Sequence, residues 1–172
     1  MRALVAGLGN IFEGDDGFGV EVAQALSSTQ WPAGVELRDY GIRGVHLAYQ
    51  LLDAYDLVVI IDAVQRGGEP GTIYVMEHAA DATAPAPAQD APILDAHDLA
   101  PDGVLALVPM LGGTLGRVMV IGCEPATIMP ALGLSRAVAG SVEKAAQIVT
   151  EIVLNAYAGA EAPADEIRVG GV

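Results

Sequence analysis

The chain has 172 residues, enough for one ordinary domain and too few for two well-cored ones. Hydrophobic residues make up 52% of it and charged residues 17%, a composition that excludes intrinsic disorder and supplies apolar surface for a core. Eight Lys plus Arg against 22 Asp plus Glu give a formal charge of −14, which excludes nucleic acid and anionic membrane surfaces as main partners because both demand a basic patch.

In chain order, residues 3–8 form a short apolar run that predicts a buried strand. A Gly- and Asp-rich turn follows, then a helix over 17–27. Residues 35–40 predict a second strand and 45–52 a short helix. The run Leu57-Val58-Val59-Ile60-Ile61, closed by Asp62, is a third strand, and its lack of alternation suits a sheet covered on both faces. Residues 72–77 predict a fourth strand, 99–111 a helix despite Pro101 and Pro109, and 117–123 a fifth strand. Ser135 is placed to cap a closing helix over 136–157. Strands that alternate with helices need right-handed crossovers. The expectation is therefore an α/β fold of three layers, helices on both faces of a five-stranded, mostly parallel twisted sheet. Residues 1–157 form one domain in this reading, 79–96 a long surface loop rich in Ala, Pro and Asp, and 158–172 a flexible tail.

Cys123 is the only cysteine, so no internal disulfide and no CxxC site exists. The N-terminal apolar run is too short for a signal-peptide core, and no stretch reaches the roughly 18 apolar residues that a bilayer span requires. These features predict a cytoplasmic protein, with a monomer as the expected state.

The densest signal is residues 7–19, with five glycines in thirteen positions between the first strand and the first helix. A dinucleotide fingerprint fails there, because Phe12 stands where GxGxxG needs its third glycine, in the way of close helix–strand packing. Glu13, Asp15 and Asp16 at a helix N-terminus would also repel a pyrophosphate. A Walker loop is excluded, since Lys144 is the only lysine and lies in the last helix. The loop suits a cation or a neutral polar group.

Asp62 ends the most hydrophobic strand, at the carboxyl edge where open α/β sheets bind ligands. A strand order 2-1-3 sets it beside the loop that carries Asp16. His97, in Asp95-Ala96-His97-Asp98-Leu99, is the third candidate, whereas His46 and His78 read as solvated imidazoles. Two carboxylates and an imidazole form an N/O site fitting a borderline divalent metal such as nickel or zinc. Without a cation, two facing carboxylates raise each other's pKa and one can stay protonated as a general acid. Spacing does not choose between these. Nucleophile catalysis is poorly supported, because none of the four serines sits in G-x-S-x-G and Cys123 is followed by Glu124.

The run Gly7-x-Gly9-Asn10-x-x-x-x-Asp15-Asp16-Gly17-x-Gly19, with Asp62 closing the third strand and His97 before a later helix, resembles the maturation endopeptidases of [NiFe] hydrogenases over residues 1–157. The resemblance implies an enzyme that cuts a C-terminal extension from the hydrogenase large-subunit precursor once its nickel is inserted. It implies Asp16, Asp62 and His97 as the residues that meet the substrate's nickel, and no organic cofactor. Gly9, Asn10, Asp39, Gly41 and Arg43 are the expected substrate contacts, Arg43 toward a carboxylate. Asp39-Tyr40-Gly41-Ile42-Arg43-Gly44 matches the family's Asp-Gly-Gly-Thr type of box at Asp39 and Gly41 but departs from it at Tyr40 and Ile42, which removes any hydroxyl at residue 42. A metal carrier without protease activity is the competing reading. A flavin or nucleotide oxidoreductase is opposed by Phe12 and the acidic loop, and a zinc peptidase of its own kind by the lack of HExxH.

Overall fold

The computed structural model describes residues 1–78 and 101–161. Five strands form one sheet: β1 (Ala3–Leu8), β2 (Val35–Gly41), β3 (Leu57–Ala63), β4 (Ile73–His78) and β5 (Arg117–Cys123), in the order β2-β1-β3-β5-β4. Four strands run parallel, and the edge strand β4 pairs antiparallel with β5. The predicted 2-1-3 order is present, and the α/β sandwich agrees with the expectation. The helices are α1 (Phe18–Ala25), α2 (Gly44–Leu51), α3 (Pro101–Met110), α4 (Arg136–Ala139) and α5 (Val142–Glu161).

The side-chain period of two explains why the central strands read as unbroken apolar runs. Ala3, Val5, Leu57, Val59, Ile61 and Ile121 point into one core with Phe18, Val22 and Leu26 of the first helical segment and with Val149 and Val153 of α5. Their neighbours Leu4, Ala6, Val58, Ile60, Val118 and Val120 point into the other, against Leu47 and Leu51 of α2 and Val104 and Val108 of α3. Each strand therefore feeds two cores. The edge strands β2 and β4 are only partly buried, as the weaker apolar patterns of 35–41 and 73–78 require.

Three expectations need correction. The closing helix is two helices: Ser135 caps α4, its Oγ accepting from the Val138 N–H at 3.4 Å, and the chain breaks at Gly140 and Ser141 before α5. The Ser141 hydroxyl donates to the Gly71 carbonyl at 2.6 Å, so that turn is fixed to the loop before β4. The helix also runs past 157 to Glu161, where the tail was expected to have begun. Finally, α1 stops at Ala25, and Leu26–Ser28 tighten into a 3₁₀ turn. The predicted loop 79–96, His97 and residues 162–172 lie outside the described residues. No described helix is long and apolar enough to cross a membrane.

Candidate active site

Since β1, β2, β3 and β5 are parallel, their carboxyl ends share one edge, and the loops after them converge there. The loop after β1 folds on itself. Gly9 has φ 124°, a left-handed conformation that L side chains avoid, and a Cβ on it would overlap the Asp16 carbonyl. Gly19 lets α1 settle onto the sheet, since a Cβ there would overlap the carbonyl oxygens of Ile61 and Leu8. The close helix–strand approach thus uses Gly19, and Phe12 is 65% exposed rather than wedged between helix and strand. This corrects the packing argument drawn from Phe12; the acidic character of the loop is unaffected.

Within the loop, the Asn10 N–H donates to Asp16 Oδ2 at 2.7 Å, and Asn10 Oδ1 accepts from the Phe12 N–H at 3.0 Å. Asn10 therefore sets the half-buried Asp16 and the turn beside it. Asp62 lies in β3, paired with Gly122 of β5, and is 8% exposed, its Oδ1 accepting from the Ala63 N–H at 2.9 Å. Burial first, and then the charge of Asp16, push its pKa up to about 8. The two carboxyl groups thus sense each other across β3 and the β1 loop, as the strand order predicts. His97 lies outside the described residues, and among the described residues no group of three His, Cys, Asp or Glu could hold a metal ion.

The box after β2 joins this edge through its backbone. The Gly9 N–H donates to the Gly41 carbonyl at 3.1 Å, and Asp39 Oδ1 accepts from the Gly41 N–H at 2.8 Å. Arg43, expected to face a substrate carboxylate, donates to the Tyr40 carbonyl at 3.0 Å and the Asp39 carbonyl at 3.1 Å, so its guanidinium secures its own turn. Arg43, Asp39 and Tyr40 line a cavity of about 400 Å³ with Arg38, His46 and Tyr49. Tyr40 is buried in the core on the α2 side, where desolvation pushes its phenol up to about 12. His46 is exposed on α2, and His78 stands 4.0 Å from Asp102 near solvent; neither joins the site.

Two carboxylates hold the surrounding loops, and sequence reasoning gave neither that role. Asp15, 1% exposed, accepts from the N–H groups of Ala126 at 2.8 Å, Thr127 at 3.3 Å and Ser135 at 2.6 Å. Burial opposes its ionisation, but these donors outweigh it and hold its pKa below the ordinary value. Glu124, 6% exposed just beyond β5, accepts from the N–H groups of Arg66 at 2.8 Å and Gly67 at 3.1 Å and from the Tyr74 hydroxyl at 2.8 Å. It fixes the loop that follows Asp62. The available signal was position alone: Glu124 follows β5 directly, and Asp15 opens the turn that leads into α1. Cys123 is fully buried and its thiol is pushed up to about 11 by burial first and the charges of Asp15 and Glu124 next, which agrees with an inert strand-end residue.

Comparison with known proteins bears on this edge. The family model described as HycI, hydrogenase maturation protease, matches residues 20–152. The hydrogenase expression/formation protein HupD of Rhodobacter capsulatus is 34% identical over 154 residues, covering 88% of this chain and 71% of its own length. A putative hydrogenase maturation protease of Methanocaldococcus jannaschii is 33% identical over 153 residues, 85% of this chain and 92% of its own. The solved structure of the hydrogenase maturating endopeptidase HybD from E. coli superposes with a TM-score of 0.72 at 26% identity, covering 91% of this chain and 94% of that one. With a family model spanning most of the chain and a fold shared with a member of known structure, this chain belongs to the hydrogenase maturation protease family.

Proposed function

We propose that this protein is the endopeptidase that removes the C-terminal extension of a [NiFe] hydrogenase large-subunit precursor in the cytoplasm, and that it reads the nickel already seated in that substrate. The observation that carries the reading is the Asp16–Asp62 pair at the carboxyl edge of the sheet, where burial first and the Asp16 charge next raise the pKa of Asp62. A pair whose second ionisation is held back by burial and by the first charge becomes easier to ionise when a divalent cation arrives between the two groups. Asp16, Asp62 and His97 hold the substrate's nickel in this proposal, so that binding energy is released only by a loaded precursor. Gly9, Asn10, Asp39, Gly41 and Arg43 border the path of the extension, the first four through the backbone and turn contacts that shape it.

The test is the intact mass of the large-subunit precursor after incubation with the protein, in nickel-loaded and nickel-free forms. Loss of a C-terminal peptide from the loaded form alone is expected, and Asp16→Asn, Asp62→Asn or His97→Ala should abolish it. A loaded precursor left whole by folded wild-type protein would overturn the protease reading in favour of a metal carrier. Equal cleavage of both forms would overturn the nickel reading.

A further inference from the structure

Large apolar side chains stand outward on two loops beside the carboxylate pair. Phe12 is 65% exposed and Ile11 41% on the loop after β1; Leu132 is 79%, Met129 55% and Ile128 37% exposed on the loop after β5. Single exposed apolar residues are ordinary on a protein surface, but a contiguous group marks a binding surface. Here the backbone makes the two loops one rim. The Ala131 N–H donates to the Phe12 carbonyl at 3.0 Å and the Gly14 N–H to the Ala131 carbonyl at 3.0 Å, with bridges pairing Glu13 with Ala131 and Gly14 with Ile128. Asp15 holds the same loops from beneath through Ala126, Thr127 and Ser135. The rim is therefore held in shape by hydrogen bonds below it, while its apolar groups face solvent.

We propose that this rim docks an apolar segment of the precursor protein, flanked by basic residues, and holds it while the adjoining extension reaches Asp16 and Asp62. The proposal rests on the endopeptidase reading above. Two features select this occupant. The rim is continuous with the site: the Asn10 N–H donates to Asp16 while the Asn10 side chain accepts from the Phe12 N–H, so one residue ties the rim to the carboxylate pair. The two loops carry charge of one sign, with no Lys or Arg between residues 3 and 37 or between 118 and 135 and with Glu13 and Asp16 on the first loop and Glu124 at the start of the second. An apolar stretch with basic neighbours complements such a surface, and a second copy of this acidic chain does not.

The experiment measures both binding and cleavage of the nickel-loaded large-subunit precursor, with wild type, Phe12→Ser, Leu132→Asp, Leu132→Lys and, as an exposed apolar control on α5, Leu154→Ser. Each rim variant is expected to raise KM and the binding Kd about tenfold with kcat within about twofold of wild type, the loss of one well-buried apolar contact. Leu132→Lys should weaken binding more than Leu132→Asp, and Leu154→Ser should match wild type. Thermal midpoints within about 2 °C of wild type establish that the variants fold. Unchanged KM and Kd in the rim variants, a loss confined to kcat, or a stronger effect of Asp than of Lys overturns the proposal. A concentration-dependent dimer of the protein alone that Leu132→Asp dissolves overturns it in favour of a second copy. Wild-type binding without cleavage, weakened by the rim variants, defeats the endopeptidase reading and supports the docking surface; cleavage with normal KM in the variants does the reverse.

Discussion

Asp62 keeps its proton to about pH 8 because burial and the Asp16 charge both oppose ionisation, while one N–H from Ala63 favours it. The ordinary value of 3.8 applies in the unfolded chain. Between these values the unfolded state has lost a proton that the folded state still holds, so this residue makes stability fall as pH rises through the interval. The penalty is absent below the unfolded value and complete above the folded one. Asp62→Asn should therefore stabilise the protein by on the order of 1–3 kcal/mol at pH 9 and leave it nearly unchanged near pH 4. Urea unfolding of the two proteins across that range checks the difference, in which contributions from carboxylates that do not face Asp62 cancel; a constant offset would show that Asp62 is ionised throughout. Asp16→Asn should make the same penalty smaller and complete at a lower pH, because it removes the neighbouring charge that helps raise Asp62.

At the scale of elements, the site depends on two close fits: α1 against the sheet and the β1 loop against the β5 loop. Gly19→Ala places a methyl group into the carbonyls of Ile61 and Leu8, and should destabilise the protein by about 2–4 kcal/mol as the helix is pushed off β3. Gly159→Ala in α5 meets nothing within 4 Å and should instead stabilise by about 0.5–1 kcal/mol, so equilibrium unfolding of the pair separates packing from helix propensity. Asp15→Ala leaves the N–H groups of Ala126, Thr127 and Ser135 without their acceptor, at about 2–4 kcal/mol, and amide hydrogen exchange at those three positions should quicken first. Strand limits were legible because the continuous apolar runs at 57–61 and 118–121 fit only strands covered on both faces, and Asp62 was legible as the charge ending such a run. Asp16 was set apart from Asp15 only by the family resemblance, since adjacent identical side chains differ only in which way the turn faces them, and the loop-holding role of Asp15 was not legible. The α4–α5 break was hidden because a Gly-Ser pair is tolerated within helices, and what divides it here is a bond from Ser141 to a distant loop. The part Arg43 plays in its own turn was not legible, because sequence shows a charge and not the two carbonyls that it satisfies.

For the whole molecule, a formal charge of −14 acts on every loop at once. Arg2 and Arg38 share Glu36, and Arg117 pairs with Glu77, so among the described residues three basic side chains are spent on exposed pairs. Such pairs contribute about 0–1 kcal/mol each and weaken with salt, whereas the excess of acidic groups repels itself across the surface and that repulsion also weakens with salt. The second effect involves many more charges, so net stabilisation by salt is expected: at pH 8 the thermal midpoint should rise as sodium chloride goes from about 10 to 300 mM, as the screening length falls from about 30 Å to several ångströms. Near pH 4.5, where carboxylates begin to take up protons, the gain should shrink or reverse, since the repulsion fades while the Arg pairs are still screened. Scanning calorimetry at the two pH values checks both signs, and salt-induced loss of stability at pH 8 would mean that the Glu36 and Glu77 pairs outweigh the excess charge. The same field bears on partner choice, because screening it must weaken the approach of a basic substrate segment under the conditions that make the free protein more stable. Stability and substrate capture are thus expected to move in opposite directions with ionic strength, a separation that uncharged packing of the two proteins would not produce.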